Sequence, residues 1–169
     1  MRILFLLRHG KSDADAGAEG DEDRPLAKRG RKAAKFVGRF LRLARQAPDS
    51  AVSSSALRAR ETVEIAVREG GWGCPIRTTR ALYESDPSRV LAEIRSEPDS
   101  TQRLLLAGHE PTWSELASRL VGGGSLRVPT ACVIRIDFDV DSWREVDFGA
   151  GELVWLIPPK IFTEGDFDF

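Results

Sequence analysis

The chain has 169 residues, 41% of them apolar and 30% charged, with a net charge of −1. These values fit one soluble domain with a sizeable core and exclude a global polyanion-binding charge. Twenty of the 25 cations are arginines, a bias suited to carboxylate or phosphate. No apolar run is long enough for a signal-peptide core or a membrane span, so a cytoplasmic protein is expected, with neither membrane nor nucleic acid as partner. Cys74 and Cys132 stand apart and read as reduced thiols.

In chain order, Ile3–Leu7 is a short apolar run stopped at Gly10, the pattern of a buried strand that ends at a loop. Lys11–Asp23 reads as a polar loop. Over Ala27–Arg45, residues Ala33, Phe36, Val37, Phe40, Leu41 and Ala44 fall at helical spacing. Ser50–Ser54 is a weak strand, and Ala56–Arg68 is a helix broken by Gly70–Gly73. Pro75–Thr79 reads as a strand, Pro87–Arg95 as a helix, and Gln102–Ala107 as a buried strand. Pro111–Val121 is predicted as a helix with Pro111 at its first position. Ala131–Phe138, Trp143–Phe148 and Leu153–Ile157 are predicted to close the sheet as strands, with Trp143–Phe148 in a hairpin. Residues 161–169 read as a frayed acidic tail. The alternation predicts one three-layer α/β/α domain over residues 1–169 with a mostly parallel sheet. No repeat or low-complexity segment interrupts it.

Three strand exits hold residues with little to contribute to a core. They are Arg8-His9-Gly10, Ser53-Ser54-Ser55-Ala56-Leu57-Arg58 and Ala107-Gly108-His109-Glu110-Pro111. The two histidines of the chain both lie at such exits. Parallel strands would bring the exits to one edge, where ligands of open α/β sheets gather. Arg58 falls in the first turn of a helix capped by Ser54 or Ser55. There a cation opposes the helix dipole by ~0.3–1 kcal/mol unless an anion occupies the helix start. An exposed surface arginine, and a capping or core histidine at His109, are the competing readings. Taken together, the exits suggest phosphoryl transfer. That chemistry needs an in-line nucleophile and neutralised equatorial oxygens. A neutral His9 can attack, with Arg8, Arg58 and His109 as the cradle. Nearby arginines and a helix N-terminus would lower the His9 pKa and favour the neutral form.

With these residues in order, the chain resembles the histidine phosphatase superfamily, whose fold is phosphoglycerate mutase-like. Arg8-His9-Gly10, Leu57-Arg58-Ala59 followed by Glu61-Thr62, and Gly108-His109 after an apolar strand make the match. Asp23-Arg24-Pro25-Leu26, Arg29-Gly30 and the small size are most similar to its SixA-like phosphohistidine phosphatase branch. The resemblance spans roughly residues 2–158. It implies a phosphohistidine intermediate on His9, phosphoryl binding by Arg8, Arg58 and His109, and no metal or cofactor. Two departures stand out. Lys11 replaces the Glu or Gln that often follows the motif, and the segment around Leu82-Tyr83-Glu84-Ser85 lacks the long insertion of mutase-like relatives. Glu84 is a candidate acid, with a plain surface carboxylate as its alternative. The missing insertion implies a shallow site suited to a protein-borne phosphate. A phosphorylated protein is therefore the expected partner, and a sugar or nucleotide phosphomonoester the alternative.

Other motifs are weaker. Cys74 and Arg80 have the Cys-x5-Arg spacing of thiol phosphatases, but Pro75 removes a backbone donor that such a loop needs. Gly10-Lys11-Ser12 ends like a P-loop, yet Phe5 stands at its first glycine. Asp147-Phe148-Gly149 lacks every other kinase element. His109-Glu110 has no second histidine at Trp113 for a zinc site. From Arg24 to Arg45 there are nine basic residues and no acidic one. A basic-helix binding module is the reading from another class. The alternative is a solvated face offset by the acidic loop Asp13–Asp23.

Overall fold

The computed structural model describes residues 1–165. Its centre is a six-stranded sheet formed by β1 (Arg2–Arg8), β2 (Ser50–Ser54), β3 (Ile76–Thr79), β4 (Arg103–Gly108), β5 (Val133–Phe138) and β6 (Gly151–Ile157). The strand order is β3-β2-β4-β1-β5-β6. The first four strands run parallel, and β5 and β6 are antiparallel.

Helices α1 (Lys28–Leu43) and α2 (Leu57–Gly70) cover one face. Helices α3 (Pro87–Arg95) and α4 (Thr112–Leu120) cover the other. In β1, Phe5 and Leu7 pack with Val37, Leu41 and Val63, while Leu4 and Leu6 pack with Ile94, Leu116 and Leu120. Both faces are thus buried, which is why β1 reads as a continuous apolar run and not as an alternation. Helix α1 can lie close on α2 because Gly38 has no Cβ; one would collide with the Ala66 carbonyl. The buried stripe of α1 is Gly30, Ala34, Val37, Gly38 and Leu41. It is turned from the predicted one, and Phe36 and Phe40 stack on each other with centroids 5.8 Å apart.

Several expectations are corrected. Trp143–Phe148 is not a strand. Trp143–Glu145 forms a 3-10 turn closed by a Ser142–Glu145 capping box. Its apolar residues are spaced to plug the α3/α4 face: Trp143 and Val146 are fully buried, and the Trp143 indole donates to the Thr101 carbonyl at 2.7 Å. The antiparallel pair at the sheet edge is β5–β6. Pro111 is the N-cap of α4 and not its first residue. Helix α2 is capped by Ala56, without a side-chain cap. Overlapping the start of the predicted frayed tail, Lys160–Thr163 forms a short helix, α5, and Phe162 stacks on Phe36 at 5.1 Å. Residues 166–169 of that tail lie outside the described residues. No helix among the described residues is long and apolar enough to cross a membrane.

Candidate active site

Strands β2, β4 and β1 are neighbours and parallel, so their carboxyl ends lie side by side. Each delivers one part of the site. His9 follows β1, Ser54 ends β2 just before α2, and His109 follows β4. The exits are pinned to each other, since the His9 amide donates to the Gly108 carbonyl at 3.0 Å. Gly10 lies backbone to backbone with Gly30; a Cβ there would sit 2.8 Å from the Gly30 carbonyl oxygen. Thr62, one turn after Arg58 on α2, accepts from the Gly10 amide at 3.0 Å and donates to the Arg58 carbonyl at 2.6 Å. The His9-Gly10 loop and helix α2 are therefore held by one buried hydroxyl.

Arg8, His9, Arg58, His109 and Glu84 all line one cleft of about 530 Å³. His9 is 8% exposed, and its ring lies 5.1 Å from that of His109. Nδ1 of His9 is 2.7 Å from the Gly10 carbonyl oxygen. A carbonyl only accepts, so Nδ1 holds the proton and Nε2 keeps its lone pair. Burial first, with smaller contributions from Arg58, Arg8 and Arg24, outweighs the raising effect of the Gly10 hydrogen bond and lowers the His9 pKa to about 4. The arginines were expected to lower it, but desolvation is the larger cause. Burial, His9 and Arg58 lower that of His109 to about 3. Both rings are neutral at pH 7.

Arg58 is the second residue of α2 and only 6% exposed, which removes the surface-arginine reading. Its Nη1 donates to the Asp21 carbonyl at 2.7 Å and its Nη2 to Asp21 Oδ2 at 3.0 Å. Nη2 is also 3.4 Å from His109 Nδ1. The anion that offsets a cation at the start of α2 is thus a carboxylate of the chain itself. Asp21 is bound by Arg24 and Tyr83 as well, at 2.7 and 2.9 Å. Desolvation raises the Asp21 pKa, but these hydrogen bonds and charges outweigh it, and the net shift is downward. The neighbouring Glu22 accepts from Ser55 at 2.5 Å and pairs with Arg80 at 3.3 Å. These two acids turn toward the site, so the acidic loop does not neutralise α1 through them. Asp21 and Tyr83 were not singled out from the sequence. Asp21 could have been suspected from its nearness to Asp23-Arg24-Pro25-Leu26, but nothing local says that its loop folds over Arg58.

The remaining sequence candidates separate clearly. Arg8 donates to the Val128 carbonyl at 3.0 Å, and its Nε is buried without a hydrogen-bond partner among the described residues. Glu84 sits exposed on the rim at φ 46°, so it reaches the cleft without being part of its buried floor. Cys74 and Arg80 do not form an anion loop, because Ile76–Thr79 between them is strand β3. Burial raises the Cys74 thiol pKa and pushes that of Cys132 up to about 12, so neither is a thiolate at pH 7. No group of three or more potential metal ligands occurs among the described residues.

These pKa directions give a test. If His9 must be neutral to act, kcat/KM should hold from pH 7 down through 6.5 and fall only as pH approaches about 4. Stability follows the same sign. The unfolded chain takes up the proton near 6.5 and the folded chain near 4, so folding stability from this group declines as pH drops between them. A pH–rate profile beside acid unfolding separates the two effects; an acid limb near 6.5 would contradict the assignment.

Comparison with known proteins places the fold and the family. An uncharacterized protein of Mycobacterium tuberculosis is 35% identical over 166 residues, covering 91% of this chain and 100% of that protein. A Nakamurella multipartita structure, provisionally assigned as the phosphohistidine phosphatase SixA, is 28% identical, with a TM-score of 0.82 over 94% of this chain and 96% of that one. The protein histidine phosphatase SixA bound to tungstate shares the fold, with a TM-score of 0.82 and 21% identity over 95% of this chain and 99% of that one. Residues 4–90 match the sequence profile of branch 1 of the histidine phosphatase superfamily, and the chain belongs to that superfamily.

Proposed function

We propose that this protein is a phosphatase that takes a phosphoryl group onto Nε2 of His9, and that its substrate is phosphohistidine on a protein. The observation that supports this most is the hydrogen bond from His9 Nδ1 to Gly10. It leaves a neutral Nε2 lone pair beside Arg8, Arg58 and His109. In the first step the His9 Nε2–P bond forms as the substrate's N–P bond breaks, and the leaving imidazole takes the bonding pair and a proton from water. In the second step a water oxygen attacks phosphorus, the His9 N–P bond breaks with its electron pair returning to Nε2, and inorganic phosphate leaves with the water's protons, one of which neutralises the hydroxide left by the first step. The guanidinium groups balance charge on the equatorial oxygens. Asp21 must share or yield Arg58 when the phosphoryl group arrives, because both are anions seeking the same donors. The likeness to SixA structures supports phosphohistidine as the substrate class.

The testing experiment is a rate comparison across a phosphohistidine protein, phosphoserine and phosphotyrosine peptides, and small phosphomonoesters. Phosphohistidine should be cleaved with the highest kcat/KM. An imidazole leaves more readily than an alkoxide, so it has less need of an acid. Glu84→Gln should therefore leave phosphohistidine cleavage within about 2-fold while slowing any alkyl phosphate about 10-fold or more. A wild-type preference for a sugar phosphate would move the assignment to a small-molecule phosphomonoesterase. Equal losses on both substrates would remove the acid role of Glu84.

A further inference from the structure

His9 and His109 are both neutral in the cleft, but only His9 has its tautomer set by a carbonyl. For His109 the same question falls on Ser54. Ser54 is the last residue of β2 and fully buried. Its Oγ accepts from the Ala56 amide at 3.2 Å and lies 2.7 Å from His109 Nε2. Its hydroxyl proton has no other acceptor among the described residues. If Nε2 held the ring proton, Oγ would accept twice and its own proton would be buried without a partner. Buried donors are rarely left so. We infer that Ser54 donates to His109 Nε2 and is the positioning residue that fixes His109 as the Nδ1–H tautomer, a neutral donor on the Arg58 side of the cleft.

The contact on that side is the weaker of the two. Nδ1 of His109 and Nη2 of Arg58 are 3.4 Å apart, and because Arg58 only donates, an Nδ1–H faces it donor to donor until an anion accepts from both. In the opposite tautomer Nδ1 would present a lone pair to that anion's oxygens, and the contact with them would turn repulsive. Free histidine favours the Nε2–H form, so the useful tautomer has to be imposed, and the hydrogen bond at the other nitrogen is what imposes it. The catalytic consequence rests on the phosphatase reading above; the tautomer does not.

The test is a long-range 1H–15N spectrum of the intact chain at pH 7, where two histidines give two ring systems and His109→Asn identifies one of them. His109 should show a protonated-type Nδ1 and an unprotonated Nε2. In Ser54→Ala the His109 pattern should shift toward Nε2–H while the His9 pattern stays. Ser54→Thr, which keeps the hydroxyl, should restore the wild-type pattern. With a phosphohistidine substrate, Ser54→Ala should lower kcat by at least about 10-fold, because one donor to the transferring group is lost. An Nε2–H signal for His109 in the wild type overturns the inference, as does an unchanged pattern in a folded Ser54→Ala. If that variant does not fold, the wild-type spectrum decides alone. Correct tautomers in a protein that hydrolyses no phosphorylated substrate would instead refute the phosphatase reading and leave this inference standing.

Discussion

His9→Ala is expected to abolish both the phosphoenzyme and turnover, lowering kcat by at least about 10³-fold, as loss of a covalent nucleophile does elsewhere. The potential nucleophiles His109, Cys132 and Thr62 are each held from replacing it. His109 has its Nε2 engaged at Ser54, the cysteines are protonated at pH 7, and Thr62 is committed to Gly10 and Arg58. The measurement is an acid-quenched and a base-quenched reaction with labelled substrate. The wild type should yield an adduct stable to base and lost in acid, the signature of a phosphorus–nitrogen bond, and the variant should yield none. Removing a buried ring leaves a cavity, so a circular-dichroism spectrum must show the fold intact before the loss is read as chemistry. Full activity in a folded variant would sink the mechanism.

Arg58→Ala is expected to cost roughly 10²–10³-fold in kcat, the scale for losing preorganised donors to a transferring group. Two effects add. The transition state loses the Arg58 guanidinium, and Asp21 loses one of its two cations, keeping Arg24, so more of its negative charge would face the incoming phosphoryl group. Asp21→Asn in the Arg58→Ala background should therefore recover part of the loss, and a double-mutant cycle measures how much. The control is Arg39→Ala. Arg39 is half exposed and paired with Glu69 at 2.8 Å on the surface of α1, and its loss should leave kcat within about 2-fold. Equal effects from Arg58 and Arg39 would mean that the convergence of exits has no catalytic meaning.

Much of this site is legible because the residues that form it sit where local pattern is strongest. An apolar run cut by Arg8-His9-Gly10 marks a strand and its exit at once. The same holds for Gly108-His109 after a run of leucines. Arg58 is legible as an anomaly, a cation in the wrong turn of a helix. The errors fall where an apolar residue has two uses. Trp143, Val146 and Phe148 alternate enough to suggest a strand, yet they plug the face between α3 and α4. Phe36 and Phe40 fit a helical stripe, yet close approach at Gly38 turns another stripe inward.

The sequence by itself determined most of the elements, the mostly parallel sheet and the three exits, because strand and helix periods and turn residues are encoded within a few positions of each other. Only the tertiary structure decided which strands are neighbours, and therefore that the exits meet. It alone decided that Asp21 folds back onto Arg58, that Thr62 joins Gly10 to α2, and that Ser54 reaches His109. These contacts join residues 37, 52 and 55 positions apart in the chain, and no local period encodes such pairs. The protonation of both histidines belongs to the same class, because desolvation, its largest cause, arises only when the whole sheet edge has closed around them.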